Sequence, residues 1–144
     1  MFTFNDAEIQ AEWVAFQEKV NKPFEEKLKP ILRQPPTSDV PMMLEKLAFL
    51  AGWAPWLGEA RAKSERFLRI AKAETLARCP AGYTQSKLKI WLEGEVVEVL
   101  YLFDHISVVY ESMGEAGNKL QTILKTEREM AMLAGKESGH GRHA

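Results

Sequence analysis

At 144 residues, 46% hydrophobic and 27% charged, the chain has enough apolar material for one domain with a core and too little length for two. A formal net charge of -1 excludes a globally basic nucleic-acid binder, so an argument for nucleic acid rests on local charge. A single cysteine, Cys79, excludes an internal disulfide, and the opening MFTFNDAE lacks the basic and apolar stretches of an export signal, so a cytoplasmic protein is expected.

The pattern is helical throughout, and the fold class expected is all-α. Asn5 and Glu8 have the spacing of a capping box, and Ile9, Trp13, Phe16 and Val20 then recur on one face, which predicts a first helix over about Asp6 to Val20. Pro23 restarts a short helix through Arg33, and Gln34-Pro35-Pro36-Thr37 breaks it, because prolines there exclude continued helix. Residues 1–37 therefore read as an N-terminal helical arm suited to a partner. Thr37 or Ser38 caps the next helix, which buries Met42 or Met43, Leu47 and Leu50 and is kinked at Gly52-Trp53-Ala54-Pro55. A further helix from Trp56 to Arg78 has Ala60, Phe67, Ile70 and Ala71 as inner residues, and Cys79-Pro80-Ala81-Gly82 stops it. Trp53 and Trp56 read as core or interface anchors.

From Thr84, the expected cap, to Leu133 there is no proline, and one long helix is predicted. Gly94, Gly114 and Gly117 are its weak points, each costing roughly 1 kcal/mol of propensity against alanine. Its apolar residues return at steps of three and four: Val96, Val99, Phe103, Ile106, Tyr110, Met113, Leu120 and Leu124. A second row, Leu102, Val109, Ala116, Ile123 and Met130, widens the stripe beyond a two-stranded seam. A helix of this length would reach roughly 75 Å, against about 40 Å for a compact domain of this size. Other subunits are therefore expected to cover the stripe, and residues 38–134 read as an oligomerising core in a multi-subunit helical barrel or ring. Ile106→Asp or Leu120→Asp should take such an assembly apart. Glu93, Glu95, Glu98 and Asp104 interrupt the helix too often for it to span a membrane. The glycine-rich end, residues 135–144, is expected to be disordered.

Catalytic and cofactor chemistry is missing from the sequence. No phosphate-cradling glycine loop occurs, and His105, His140 and His143 have no companions at metal-ligand spacing, so no metal and no cofactor is expected. No nucleophile, base and electrophile assemble into a site, so the protein is not expected to be an enzyme. Charge separation is the informative feature. Arg61, Lys63, Arg66, Arg69, Lys72 and Arg78 outnumber Glu65 and Glu74 in one stretch, and Lys87 and Lys89 come just after it. Between Glu93 and Glu115 there are six acidic residues and no lysine or arginine. Cations near Phe67, Tyr83 and Trp91 suit single-stranded nucleic acid, since cations neutralise phosphates while aromatic faces stack on bases. The same cations also suit an outer helix face that pairs with the acidic stretch of a neighbour.

Two segments resemble the recombination mediators of T-even-type bacteriophages, UvsY and its relatives. Leu68-Arg69-Ile70 with the Ala- and Lys-bearing run after it is similar to the basic helix of that family. Tyr83-x-x-Ser86-x-Leu88-Lys89-x-x-Leu92 keeps the family's spacing, with leucine at Leu88 for methionine, and a long C-terminal helix comes next in both. The likeness covers roughly residues 56–130. It departs at Ala77-Arg78-Cys79-Pro80-Ala81-Gly82, where the family carries a basic and aromatic strip, and Lys63, Arg69, Lys72 and Lys89 are the plausible counterparts of its DNA-contacting cations. The resemblance implies a non-enzymatic homo-oligomer that binds single-stranded DNA and loads a RecA-like recombinase onto strands covered by single-strand-binding protein. From the local charge, Arg61, Lys63, Arg66, Arg69 and Lys72 would take the electrostatic role in such a protein, with Lys87 and Lys89 helping. The alternative is a helical interaction or assembly protein, phage-encoded or not, that ignores DNA.

Overall fold

A computed structural model of the chain describes residues 1–35 and 39–142, with side chains as far as Lys136, and every regular element among them is helical. The Asp6 carboxylate accepts the backbone N–H groups of Glu8 and Ile9 at 2.8 and 3.3 Å, so Asp6 rather than Asn5 caps α1 (Ala7–Pro23). Asn5 donates its own N–H to Glu74 at 3.1 Å. The predicted break at Val20 does not occur. Instead α1 continues through a π-helical turn (Phe24–Leu28) into α2 (Lys29–Leu32). The widened turn lies where the Pro30 ring would otherwise press on the carbonyl one turn back.

The expected caps Thr37 and Ser38 lie outside the described residues; Asp39 occupies the cap position of α3 (Val40–Leu76). One 37-residue helix replaces the two that were expected, because Pro55 does not end it. Proline removes a single backbone donor, and Pro55 sits on the exposed side. Leu50, Leu57 and Ala60 are buried on either side of it and hold both halves on one core. The stop at Cys79–Gly82 does form, with Gly82 at φ +85°, a conformation that costs glycine little. Thr84 caps α4 (Gln85–Glu95), its Oγ1 accepting the Lys87 N–H at 3.3 Å.

The single long helix from Thr84 is corrected to two. Val96, at φ −101° and ψ 15°, separates α4 from α5 (Val97–Arg142). The interruption is one residue long: the Val96 N–H still reaches the Leu92 carbonyl at 3.1 Å, and the Val96 carbonyl accepts from Leu100 at 2.9 Å. Gly94 weakens the helix just before it, and Val96 itself is fully buried. α5 is described with a helical backbone as far as Arg142, and residues 143 and 144 of the tail expected to be disordered lie outside the described residues.

α3 and α5 run antiparallel, for the groove between them is lined by Leu57 and Tyr110 at one end and by Leu47 and Gln121 at the other. α1 returns along α3 and meets it through large rings: the Phe67 centroid lies 5.3 Å from Trp13, 5.4 Å from Phe16 and 5.8 Å from Phe4. Further along, Phe24 stands 6.0 Å from Trp56 and 5.5 Å from His105, which ties the π-helical turn to α3 and α5 together. Residues 1–32 therefore fold back onto the core. The first residues are strapped down as well. Phe4 is buried, the Phe2 N–H donates to Glu98, and Gln17 Nε2 donates to the same carboxylate at 3.3 Å.

The three helices bury the apolar row of α5 within one chain. Val96, Val99 and Ile106 are fully buried, Met113 and Leu120 nearly so, and Phe103 and Leu124 half-buried. Tyr110 is 38% exposed. The expectation that only other subunits could cover this row is thus replaced by cover from α1 and α3. α5 is nonetheless longer than its own chain can cover, because every described side chain from Lys125 to Lys136 is exposed.

Candidate nucleic-acid interface

Lys63, Arg66, Arg69 and Lys72 succeed one another on α3 at steps of three. Each step turns about 60° round a helix, so the four wind half-way round α3 instead of forming one strip. Three of them are also paired. Lys63 Nζ lies 3.3 Å from Glu59, Arg69 Nη2 lies 2.8 Å from Glu65, and Arg66 Nη1 lies 3.8 Å from Glu12 of α1. Arg61 stands over the Tyr110 ring at 5.3 Å from its centroid, a cation–π contact toward α5. Lys72, Lys87 and Lys89 have no ion pair among the described residues, and Lys87 and Lys89 are exposed on α4.

The structure does bring some of these cations together. Lys63 and Arg66 lie on the edge of α3 nearest α1, where Lys19 meets them across a hollow lined by Glu12, Ala15, Phe16 and Phe67. Lys19 was not a candidate from sequence. It is more than forty residues from the basic stretch and sits among Glu12, Glu18 and Lys22 in a segment of mixed charge. Only the return of α1 along α3 puts it there. Arg61 and Lys72 lie on the opposite edge of α3 by helical spacing, and α4 carries Lys87 and Lys89 elsewhere.

The charged side chains at the hollow are more than half exposed, with Lys63 at 53%, Arg66 at 65% and Glu12 at 56%. Exposed pairs of this kind are worth about 0–1 kcal/mol, so a phosphate can displace a carboxylate from such a lysine or arginine at little cost. Tyr83 and Trp91 form an edge-on pair with centroids 6.1 Å apart beside Lys87 and Lys89, and Tyr83 is 42% exposed. Trp53 and Trp56 pack against the core and each other at 5.3 Å, as anchors rather than stacking platforms.

Among the described residues, His105 and Glu25 titrate away from their ordinary range. Burial among α1 and α5 side chains lowers the His105 pKa, the nearby Lys29 ammonium adds to this, and Glu25 opposes it. The Glu25 carboxyl is lowered by its hydrogen bond from Lys29. Neither group belongs to the hollow. Among the described residues no cluster of histidine, cysteine, aspartate and glutamate could hold a metal ion, and no helix is long and apolar enough to cross a membrane.

No protein-family model, no curated protein and no solved structure matches the chain. Fold and surface together define an all-helical protein with a basic hollow between α1 and α3 and a long helix that outruns its own core.

Proposed function

We propose that the protein is a phage-type recombination mediator. It acts as a homo-oligomer, packed as a helical barrel or ring, in the cytoplasm of a bacterial host. It binds single-stranded DNA and helps a RecA-like recombinase to displace single-strand-binding protein, without catalysing a reaction itself. The observation that carries this reading is the convergence of Lys19, Lys63 and Arg66 on one exposed hollow from two separate helices. Arg69 winds away from the hollow round α3, and Arg61, Lys72, Lys87 and Lys89 offer further cations on other faces. The resemblance of residues 56–130 to the mediator family supplies the biological role. Each subunit offers few cations, so useful affinity comes from an assembly that presents many of them to one strand at high effective concentration.

The test is mass-resolved size-exclusion chromatography with a fluorescent single-stranded oligonucleotide at low and high salt. The expected result is an oligomer that carries the strand at low salt and releases it at high salt. Lys19→Glu/Lys63→Glu/Arg66→Glu should lose the strand and keep the oligomer. An oligomer that ignores DNA at both salts refutes the mediator. That outcome would leave a helical interaction or assembly protein, a reading favoured by the pairing of Lys63, Arg66 and Arg69 with carboxylates of the same chain.

A further inference from the structure

The hollow beside Lys19 carries a charge pattern that a phosphate track alone does not explain. It is one end of a longer furrow between α1 and α3, because a second hollow, toward Val20, Trp56 and Glu59, shares Phe16, Lys19 and Lys63 with it. The two ends differ in size, about 50 Å³ toward Trp56 and about 280 Å³ beside Glu12 and Arg66. A cavity of about 150 Å³ admits a benzene-sized ring, so only the larger end has room for a nucleobase. Glu12 stands at that end, and a carboxylate repels phosphate, so its place among cations calls for a ligand with donors of its own. Its Oε2 lies 3.8 Å from Arg66 Nη1, too far for a hydrogen bond, and both groups therefore keep hydrogen-bonding capacity for a ligand. Side by side they offer two acceptors and then a donor. The Watson–Crick edge of guanine carries the reverse, two N–H donors and then the O6 acceptor. No other DNA base does so: adenine and cytosine each turn a ring acceptor on the carboxylate, and thymine has one N–H between two carbonyls.

We propose that the larger end of the furrow takes one unpaired guanine of a single strand, with Glu12 accepting from N1–H and the N2 amino group and Arg66 donating to O6. Lys19 and Lys63 hold the phosphates on either side. Phe16 and Phe67 are 8% and 5% exposed, so they floor the pocket at their edges and do not offer an open ring face, on which every base would stack alike. The choice among bases therefore falls to Glu12 and Arg66. In a duplex the same edge of guanine is already paired, so the pocket takes the base from single strands only. The proposal rests on the reading of the protein as a binder of single-stranded DNA and adds a base preference to it.

Fluorescence anisotropy of the full chain at low salt tests it with labelled strands of thymidine alone, of thymidine with isolated guanosines, and of thymidine with inosine, which lacks the N2 amino group, at the same places. The guanosine strand is expected to bind about tenfold more tightly than the thymidine strand, with the inosine strand between them. Raising the salt should weaken all three together and keep their order, because phosphate contacts carry no sequence information. Glu12→Gln should bind the three strands alike, whereas Glu18→Gln, which removes the same charge from α1 outside the hollow, keeps the order. Equal binding of the three strands by the wild type overturns the guanine pocket and leaves DNA binding standing. A preference for guanosine that survives Glu12→Gln overturns its assignment to this hollow. No binding of any strand overturns both readings. Guanosine monophosphate is titrated against the bound guanosine strand, and displacement at concentrations near those of the strand itself would mark a site for a free nucleotide and overturn the strand as its ligand.

Discussion

Replacing Phe67 by alanine is the sharpest test of whether the N-terminal helix belongs to the core. The ring is 5% exposed and stands 5.3 to 5.8 Å, centroid to centroid, from Trp13, Phe16 and Phe4, all of which come from the first sixteen residues. Truncating a buried phenylalanine costs about 3–5 kcal/mol, through lost transfer and a cavity that collapses only in part. Each well-placed ring pair adds roughly 0.5–1.5 kcal/mol beyond its area, so the upper part of that range is expected for a ring with three partners. The assay is urea unfolding monitored by circular dichroism at one fixed protein concentration, because self-association would otherwise shift the midpoint. Phe67→Leu, which keeps most of the volume, should lose less than half as much. A loss below about 1 kcal/mol for Phe67→Ala would mean that α1 is not docked on α3 and would refute the fold-back of residues 1–32.

Asp6→Ala should cost about 1 kcal/mol, read from the same unfolding curves, because two N–H groups of the first turn lose their acceptor; Asn5→Ala should cost less if Asp6 is the true cap. Ile106→Asp should abolish the folded monomer rather than merely split an oligomer, since Ile106 is fully buried within its own chain; a folded variant by circular dichroism would contradict this packing. The lowered pKa of His105 makes the folded state prefer the neutral ring. Its contribution to stability is therefore fully present above the unfolded value of about 6.5, declines as pH falls through that value, and levels off once pH is below the depressed folded value. Unfolding midpoints from pH 8 down to 5 should show this decline, and His105→Gln should flatten it; an unchanged slope would remove His105 as its source.

The parts of the fold written in turn chemistry were legible in the sequence. Cys79-Pro80-Ala81-Gly82 stops a helix because proline removes a donor and Gly82 takes a positive φ, and Thr84 caps α4 with its own hydroxyl. Pro55 was misleading for the opposite reason. Its local cost is outweighed by Leu50, Leu57 and Ala60, whose burial depends on helices remote in sequence. At Val96 the local signal was only the weak point at Gly94, one of three such glycines, and nothing in the sequence distinguished it from Gly114 and Gly117, through which α5 runs unbroken. The basic residues of α3 were individually visible, but a count of charges along the chain ignores the 60° that separates each from the next round the helix. Glu59 and Glu65 pair with Lys63 and Arg69 one turn along α3 itself, whereas Glu12 as the partner of Arg66, and Lys19 as a neighbour of Lys63 and Arg66, appear only once α1 is laid against α3.

The uncovered end of α5 makes the chain its own reporter of assembly. A helical stretch whose described side chains, Lys125 to Lys136, are all exposed is marginal in water and opens often, so Lys125 and Arg128 should be the first sites at which trypsin cuts. Cleavage there would leave the buried core as far as Leu120 intact. If neighbouring copies shelter that end, the fraction nicked per unit time should fall as protein concentration rises at a constant ratio of protease to protein. Digestion rate against dilution thus measures the concentration at which the subunits part, with no label and no engineered residue.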